Sequence, residues 1–385
     1  MRYFDYSATT PPLAEVVRTV SEVMSDIYGN PSSLHRKGVE AEALLDRARG
    51  IAAGVLGVPE DSIIFTSGGT ESNNLAIFGL AAALDRRKKH FITTMIEHPS
   101  VYECFKRLER DGHEVTYVAP DGEGRISPDT IAAAIRPDTV MVSVMHVNNE
   151  TGAIQPVEEI GKLLAGFPRV RFHVDAVQSV GKLILNPQEA GIDYLSVSAH
   201  KFYGPKGVGL LYKNPAAPLS PLLCGGGQEF GLRSGTENVP LIVGMAKALR
   251  ICAEQREQNA ARMRSLRERL IGALSSIHGV RVTGSADSAK WAPHIVHFRA
   301  PGVKAEVLVH ELERQGFYVS SQSACSSGSD KPSRVLLAMG LPEEEAASGI
   351  RVSLSHTHTE GDVDALAAAV AESVPRLIKQ TEGVR

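Results

Sequence analysis

Cysteine is scarce in this chain. Four stand among 385 residues, at 104, 224, 252 and 325, and no two are close in sequence. That excludes a disulfide framework and offers no pair with metal-ligand spacing, so no metal site is expected and a reducing, cytoplasmic setting is. Long apolar runs are missing as well. None approaches the roughly 18 residues a membrane span needs, so no membrane association is expected. The opening Met1-Arg-Tyr-Phe-Asp-Tyr has an early acid and no apolar stretch of signal-peptide length. There is no excess of one charge: 41 Lys and Arg against 44 Asp and Glu leave a net −3, which argues against a nucleic-acid surface as the main function. No internal repeat or low-complexity segment is present. What remains is 43% hydrophobic and 22% charged, ordinary for a globular protein, and long enough for one large and one smaller domain.

The order of elements is legible from apolar runs and their punctuation. Residues 1–15 read as extended, because Pro11 and Pro12 bias their predecessors away from helix. Ser32-Ser33 caps a helix to about Leu56 with an apolar face of Val39, Leu44, Ala48, Ile51 and Val55, ended by Gly57. Strands are expected at Ile63–Thr66, His90–Thr94, Glu114–Val118, Val140–Val147, near 170–175 and 193–197, and at Val208–Tyr212. Helices fall between them, at Leu75–Leu84, Pro99–Arg110, Pro128–Ile135 and Val157–Ala165. This alternation predicts an α/β fold with a mostly parallel sheet covered on both faces. Val239 to about Ile277 reads as one long helical stretch joining two domains. Beyond Val280, short strands and helices indicate a smaller α+β C-terminal domain. The expected division is 16–255 for the large domain, and 1–15 with 256–385 for the small one.

In an open parallel sheet, ligands bind beyond the carboxyl ends of the strands. His98, Asn149, Asp175, Gln178, Ser198 and Lys201 all stand just past such ends. Ser67-Gly-Gly-Thr-Glu-Ser-Asn-Asn74, between a strand and a helix, fits either a plain turn capped by Thr70 or an anion site of free N–H groups. Lys201, before the Gly204-Pro205 turn, reads either as a surface lysine or as a desolvated amine able to react with a carbonyl cofactor. Cys104 and Cys252 fall in helical runs, where small buried packing is expected. Cys224 lies beside glycines and is left open. Cys325 sits in a small, polar stretch, Ser320 to Pro332, expected to be exposed and mobile.

Asp175-Ala-Val-Gln178 followed by Ser198-Ala-His-Lys201 resembles the cofactor site of pyridoxal-phosphate enzymes of aminotransferase fold type I, class V. Ser323-Ala-Cys-Ser326 narrows the resemblance to cysteine desulfurases of the NifS/IscS-like group, which serve iron–sulfur cluster assembly. The likeness runs from Asp5-Tyr-Ser-Ala-Thr-Thr-Pro11 to Ile350-Arg-Val-Ser353. It implies pyridoxal 5′-phosphate held by Lys201, with Asp175 on the pyridinium nitrogen and His98 stacked on the ring. Asn149 and Gln178 would face the phenolic oxygen, and Gly69, Thr70, Ser198 and His200 the phosphate. Thr236 would reach the phosphate of a neighbouring subunit, which implies a homodimer. Arg351, with Asn149, would bind the carboxylate of L-cysteine. Cys325 would take the sulfur as a persulfide, and a sulfur-acceptor protein such as an iron–sulfur scaffold would receive it.

The sequence departs from that pattern at four places. Gln322 and Ser355 stand where glycine is expected, Gly69 where alanine is common, and Pro99 where lysine is common. A selenocysteine lyase or another class V enzyme is the first alternative. A non-catalytic scaffold that keeps the cofactor for stability and binds a metal cluster is the second.

Overall fold

The structure, a computed structural model, describes residues 2–85, 87–284, 287–321 and 332–382. Cys325 and Gln322, and with them the expected cysteine loop, lie outside the described residues.

Seven strands form the larger sheet, in the order Ile63–Thr66, Gly209–Lys213, Tyr194–Ser198, Arg171–Asp175, Thr139–Ser143, His90–Thr94, Glu114–Val118. Only Gly209–Lys213 runs antiparallel to its neighbours; the other pairings are parallel. Every residue of Ile63–Thr66, His90–Thr94 and Tyr194–Ser198 is buried. That is what helices on both faces of a sheet demand, and it explains why these strands read as unbroken rather than alternating apolar runs. Phe172, Val174, Leu195 and Val197 lie in the core beneath the strand ends, each contributing roughly 1.5–3 kcal/mol by burial. The α/β class and the mostly parallel sheet match the sequence expectation.

Three boundaries differ from it. The helix expected from Leu75 begins at Gly69 and runs to Ala83, so the small residues after the first strand form a helical first turn instead of a loop. The expected Val140–Val147 strand ends at Ser143, and the chain beyond keeps only single bonds to the next strand, from Val144 N to His173 O and from His146 N to Asp175 O. The long helical stretch is broken at Gln255 into Val239–Glu254 and Arg256–Ser275.

The helix Arg36–Leu56 also buries a different face. His35 caps it, Gly57 ends it in the left-handed conformation, and Gly38, Ala41, Leu45, Ala48, Ala52 and Ala53 are buried. Val39 is 51% exposed. The small residues allow close packing on Val239–Glu254, and that tertiary contact outweighs the bulkier apolar stripe.

A second, antiparallel sheet comprises Gly349–Ser353, Ile295–Arg299 and Arg281–Thr283. Its core joins Phe4, Leu270, Phe298, Leu308, Ile350 and Val370. Arg2–Tyr3 pairs in parallel with Phe317–Tyr318, which ties the start of the chain to this region. Residues 5–10 then run from the small sheet to the strand ends of the large one. Among the described residues no helix is long and apolar enough to cross a membrane.

Candidate active site

The strand-end residues converge. Gly69, Thr70, His98, Asn149, Asp175, Gln178, Ser198, His200, Lys201 and Arg351 all line one cavity, together with Ser7, Ala8, Ser100, Met145 and Val177. Asp175 and Ser198 are the last residues of their strands, and seven others come from turns or first helical turns beyond the strands of the large sheet. Arg351 is the middle residue of Gly349–Ser353, an edge strand of the small sheet, so the cavity lies where the two sheets meet.

Lys201 sits in the short turn that follows Tyr194–Ser198, and its ammonium donates to the carbonyls of Ser7 and Ala8, both at 2.7 Å. Ser7 O also accepts from Gln178 Nε2 at 2.9 Å, and Thr9 Oγ1 meets His200 Nδ1 at 3.1 Å. Burial, followed by the charges of Lys201, Lys206 and Lys182, lowers the His200 imidazole to about 4. His200 is therefore neutral at pH 7, free to donate from one ring nitrogen and accept at the other.

Asp175 ends its strand in full burial. Its oxygens accept from Asn73 Nδ2 at 2.9 Å and from Val177 N at 3.0 Å. Burial raises its pKa, and these two donors and the Lys201 charge pull it back. His98 caps the helix Pro99–Arg110, its Nδ1 accepting from Ser100 N at 3.1 Å. Pro99 occupies the first helical position, where no N–H is needed. Burial, then Lys201, Arg334 and Arg351, lower His98 to about 4, so its ring is a flat neutral surface at the cavity wall.

The other end of the cavity is suited to an anion. The helix Gly69–Ala83 starts there with its first-turn N–H groups unpaired within the helix, beside Ser198 and His200. A Cβ on Gly69 would stand 2.7 Å from Val177 Cγ2 and 3.4 Å from Ser198 Cβ, so the missing side chain preserves room at this wall. A carboxylate, a neutral imidazole face, an amine and an anion cradle thus surround one space. This donor set fits a phosphorylated pyridine aldehyde: acid for the ring nitrogen, amine for the carbonyl, N–H groups for the phosphate.

Arg351 is 1% exposed and donates to Asn149 O and to Asp5 Oδ1, both at 2.8 Å. Thr236 does not line this cavity. It lies in a second one with Ser67, Glu229, Arg233 and Glu237. Cys104 and Cys252 are buried as expected, and Cys224 is exposed.

Residues 2–366 match the family described as aminotransferase class-V. The chain belongs to that family. A NifS/IcsS protein homolog of Lactobacillus delbrueckii subsp. bulgaricus is 45% identical over 373 residues, 97% of this chain and 97% of the relative. Cysteine desulfurase IscS of Dictyoglomus turgidum is 42% identical over 363 residues, 94% of this chain and 91% of the relative. Among solved structures, a NifS-like protein superposes with a TM-score of 0.91 at 38% identity, covering 98% of this chain and 100% of the other.

Within this class-V site, several groups escaped the sequence reading. Ser7 and Ala8 act through backbone carbonyls, which leave no trace in residue type. Asn73 lies in the quoted Ser67–Asn74 stretch, but its tie to Asp175 spans 102 positions. Glu97, next to His98, is wholly buried, and burial raises it to about 8. Its Oε1 accepts from Thr94 Oγ1 and Met145 N, both at 2.8 Å. Arg334 donates to the carbonyls of Met95 and Glu97 and stacks 3.9 Å over Tyr102. Apart from the Thr94–Glu97 bond, three residues apart, these ties reach distant segments, which no local pattern discloses.

Proposed function

We propose that this protein is a pyridoxal-phosphate-dependent cysteine desulfurase that converts L-cysteine to L-alanine and keeps the sulfur as a persulfide on Cys325. The observation that carries this reading is the meeting of Lys201, Asp175, His98 and Arg351 around one cavity in a class-V chain. The relatives' names, cysteine desulfurase among them, supply the substrate.

Pyridoxal 5′-phosphate, when bound, supplies an electron sink that labilises the α-proton and the β-substituent of an amino acid. Lys201 holds it and moves the α-proton as general base and acid. Asp175, kept in place by Asn73 and Val177, would hold the ring nitrogen. His98 would supply a flat surface for the ring, Asn149 and Gln178 would serve its phenolic oxygen, and Gly69, Thr70, Ser198 and His200 would take the phosphate. Arg351, with Asn149, orients the substrate carboxylate. The Cys325 thiolate attacks the substrate sulfur: an S–S bond forms, the C–S bond breaks, and the β-carbon, once protonated, leaves as alanine. The persulfide passes to an acceptor protein such as an iron–sulfur scaffold.

The same reading makes the enzyme a cytoplasmic homodimer. Tyr28, Leu34 and Phe230 are exposed apolar side chains suited to a subunit contact, and Thr236 would complete the partner's phosphate site. It divides the chain into a large domain, 16–255, and a small one formed by 1–15 and 256–385.

Paired variants test the proposal. Lys201→Ala is expected to lose turnover and the visible absorbance of the bound cofactor. Cys325→Ala is expected to keep that absorbance while sulfide and alanine production nearly stop. In the parent, brief exposure to L-cysteine places one reducible sulfur on the peptide containing Cys325, read by mass spectrometry. Normal alanine release from Cys325→Ala defeats the mechanism.

A further inference from the structure

The guanidinium of Arg351 is already occupied by an acid of its own chain. Asp5 Oδ1 accepts from Nη2 at 2.8 Å, and this is the ion pair Arg351 makes among the described residues. Nη1 donates to Asn149 O, and Nε is buried with no partner among the described residues. Nη2 belongs to both two-donor edges of a guanidinium, the forks through which a ligand carboxylate binds. Asp5 therefore stands in competition with any carboxylate that approaches Arg351.

The two partners differ in burial. The Arg351 side chain is 1% exposed, so its charge needs compensation inside the protein. The Asp5 side chain is 18% exposed, so its carboxylate reaches water when it gives way. Glu150, an acid on which the Arg351 charge also acts, is turned to Ser333 Oγ at 2.5 Å, and burial raises its pKa. Asp5 is also held in place: the chain bridges to Ser353 at Asp5, and Ser353 N donates to Phe4 O at 2.7 Å. In this structure Asp5 answers the Arg351 charge.

We propose that Asp5 is a positioning residue that limits the affinity of Arg351 for the α-carboxylate of an amino acid, so that a carboxylate product leaves readily. The proposal rests on the carboxylate role of Arg351 given above. Asp5→Asn keeps an acceptor oxygen for Nη2 and removes the competing charge. Titration of the cofactor-loaded protein with L-alanine, and with L-alaninamide as a ligand lacking the carboxylate, reads the difference. The variant is expected to bind alanine about tenfold more tightly, the scale of one charge-assisted contact, with alaninamide unchanged. The KM for L-cysteine falls, and kcat falls with it as alanine leaves more slowly.

A purely structural role for Asp5 gives the opposite sign, with both ligands weakened and KM raised. Asp5→Ser, which is smaller and also uncharged, carries the same expectation as Asp5→Asn. Alanine affinity that stays unchanged or weakens in Asp5→Asn overturns the proposal. If Arg351→Gln binds alanine as tightly as the parent, the carboxylate role of Arg351 itself is overturned.

Discussion

The ammonium of Lys182 donates to the backbone carbonyl of Lys201 at 2.9 Å. Lys182 is 9% exposed and lies behind the cavity wall, so the residue that carries the central amine is anchored from beneath by a second, buried amine. Thr10 and Tyr203 complete the anchorage: Thr10 N donates to His200 O at 2.9 Å, and Tyr203 N to Thr10 Oγ1 at 2.7 Å.

Burial lowers Lys182 from 10.5 to about 8. The unfolded chain binds the proton between these values while the folded chain does not, so stability rises with pH across that window. Below about pH 8 the full cost of burying the charge is present, roughly 3 kcal/mol, offset by a hydrogen bond of about 1 kcal/mol. Lys182→Met is expected to raise the melting temperature at pH 7, to flatten its rise between pH 8 and 10, and to lower turnover severalfold because Lys201 loses its anchor. A parent melting temperature already flat over that range removes the argument.

The contrast between Lys182 and Lys201 shows what the sequence could disclose. Asp175 ends a strand, and Lys201 and His98 stand three and four residues past one; the βα alternation alone predicts that such positions gather at one edge of the sheet. Arg351 lies inside a strand of the second sheet, and only its likeness to a known motif marks it. Lys182, Asn73 and Asp5 have no local signature: their partners are separated by 19, 102 and 346 positions. The face of the helix Arg36–Leu56 misled for a related reason. Helical periodicity identifies apolar residues, but packing on Val239–Glu254 selects the small ones.

Asn73 offers a test of the Asp175 site. Its amide donates to Asp175 Oδ2 and to Ser100 Oγ, both at 2.9 Å. Burial already raises the Asp175 pKa, and loss of the Asn73 donor raises it further. In the role proposed for it, a protonated Asp175 would not balance a positive ring nitrogen. Asn73→Ala is expected to weaken cofactor binding about tenfold, the value of one hydrogen bond to a charged group. The loss is larger at pH 6 than at pH 8, because acid protonates the weakened carboxylate first. Titration of cofactor-free protein with pyridoxal 5′-phosphate reads this, and an unchanged affinity at both pH values counts against it.

Residues 224–238 form a strap that carries Thr236. Arg49 makes a two-pronged pair with Glu229, Nη1 to Oε2 at 3.0 Å and Nη2 to Oε1 at 2.7 Å, with both side chains buried. Glu229 Oε2 also accepts from Phe65 N at 2.7 Å, and the guanidinium lies 4.7 Å from the Phe65 ring centroid and 4.9 Å from that of Phe230. Glu229 and Phe230 adopt φ values of 46° and 60°, left-handed conformations that cost roughly 1–3 kcal/mol each without glycine. The ion pair and the ring contacts hold the segment in that strained shape. Arg49→Met leaves the Glu229 carboxylate buried with Phe65 N alone, at a cost of about 3–5 kcal/mol. Adding Glu229→Leu removes the second charge as well, leaving the Phe65 N–H and the Ile63 carbonyl, which accepts from Arg49 Nη1 at 2.6 Å, without these partners. The double variant is expected to melt higher than Arg49→Met alone, yet the 224–238 segment, no longer held, is cut faster by protease than in the parent. If the two substitutions instead destabilise additively, or the segment is cut no faster, Arg49 is not what holds the strap.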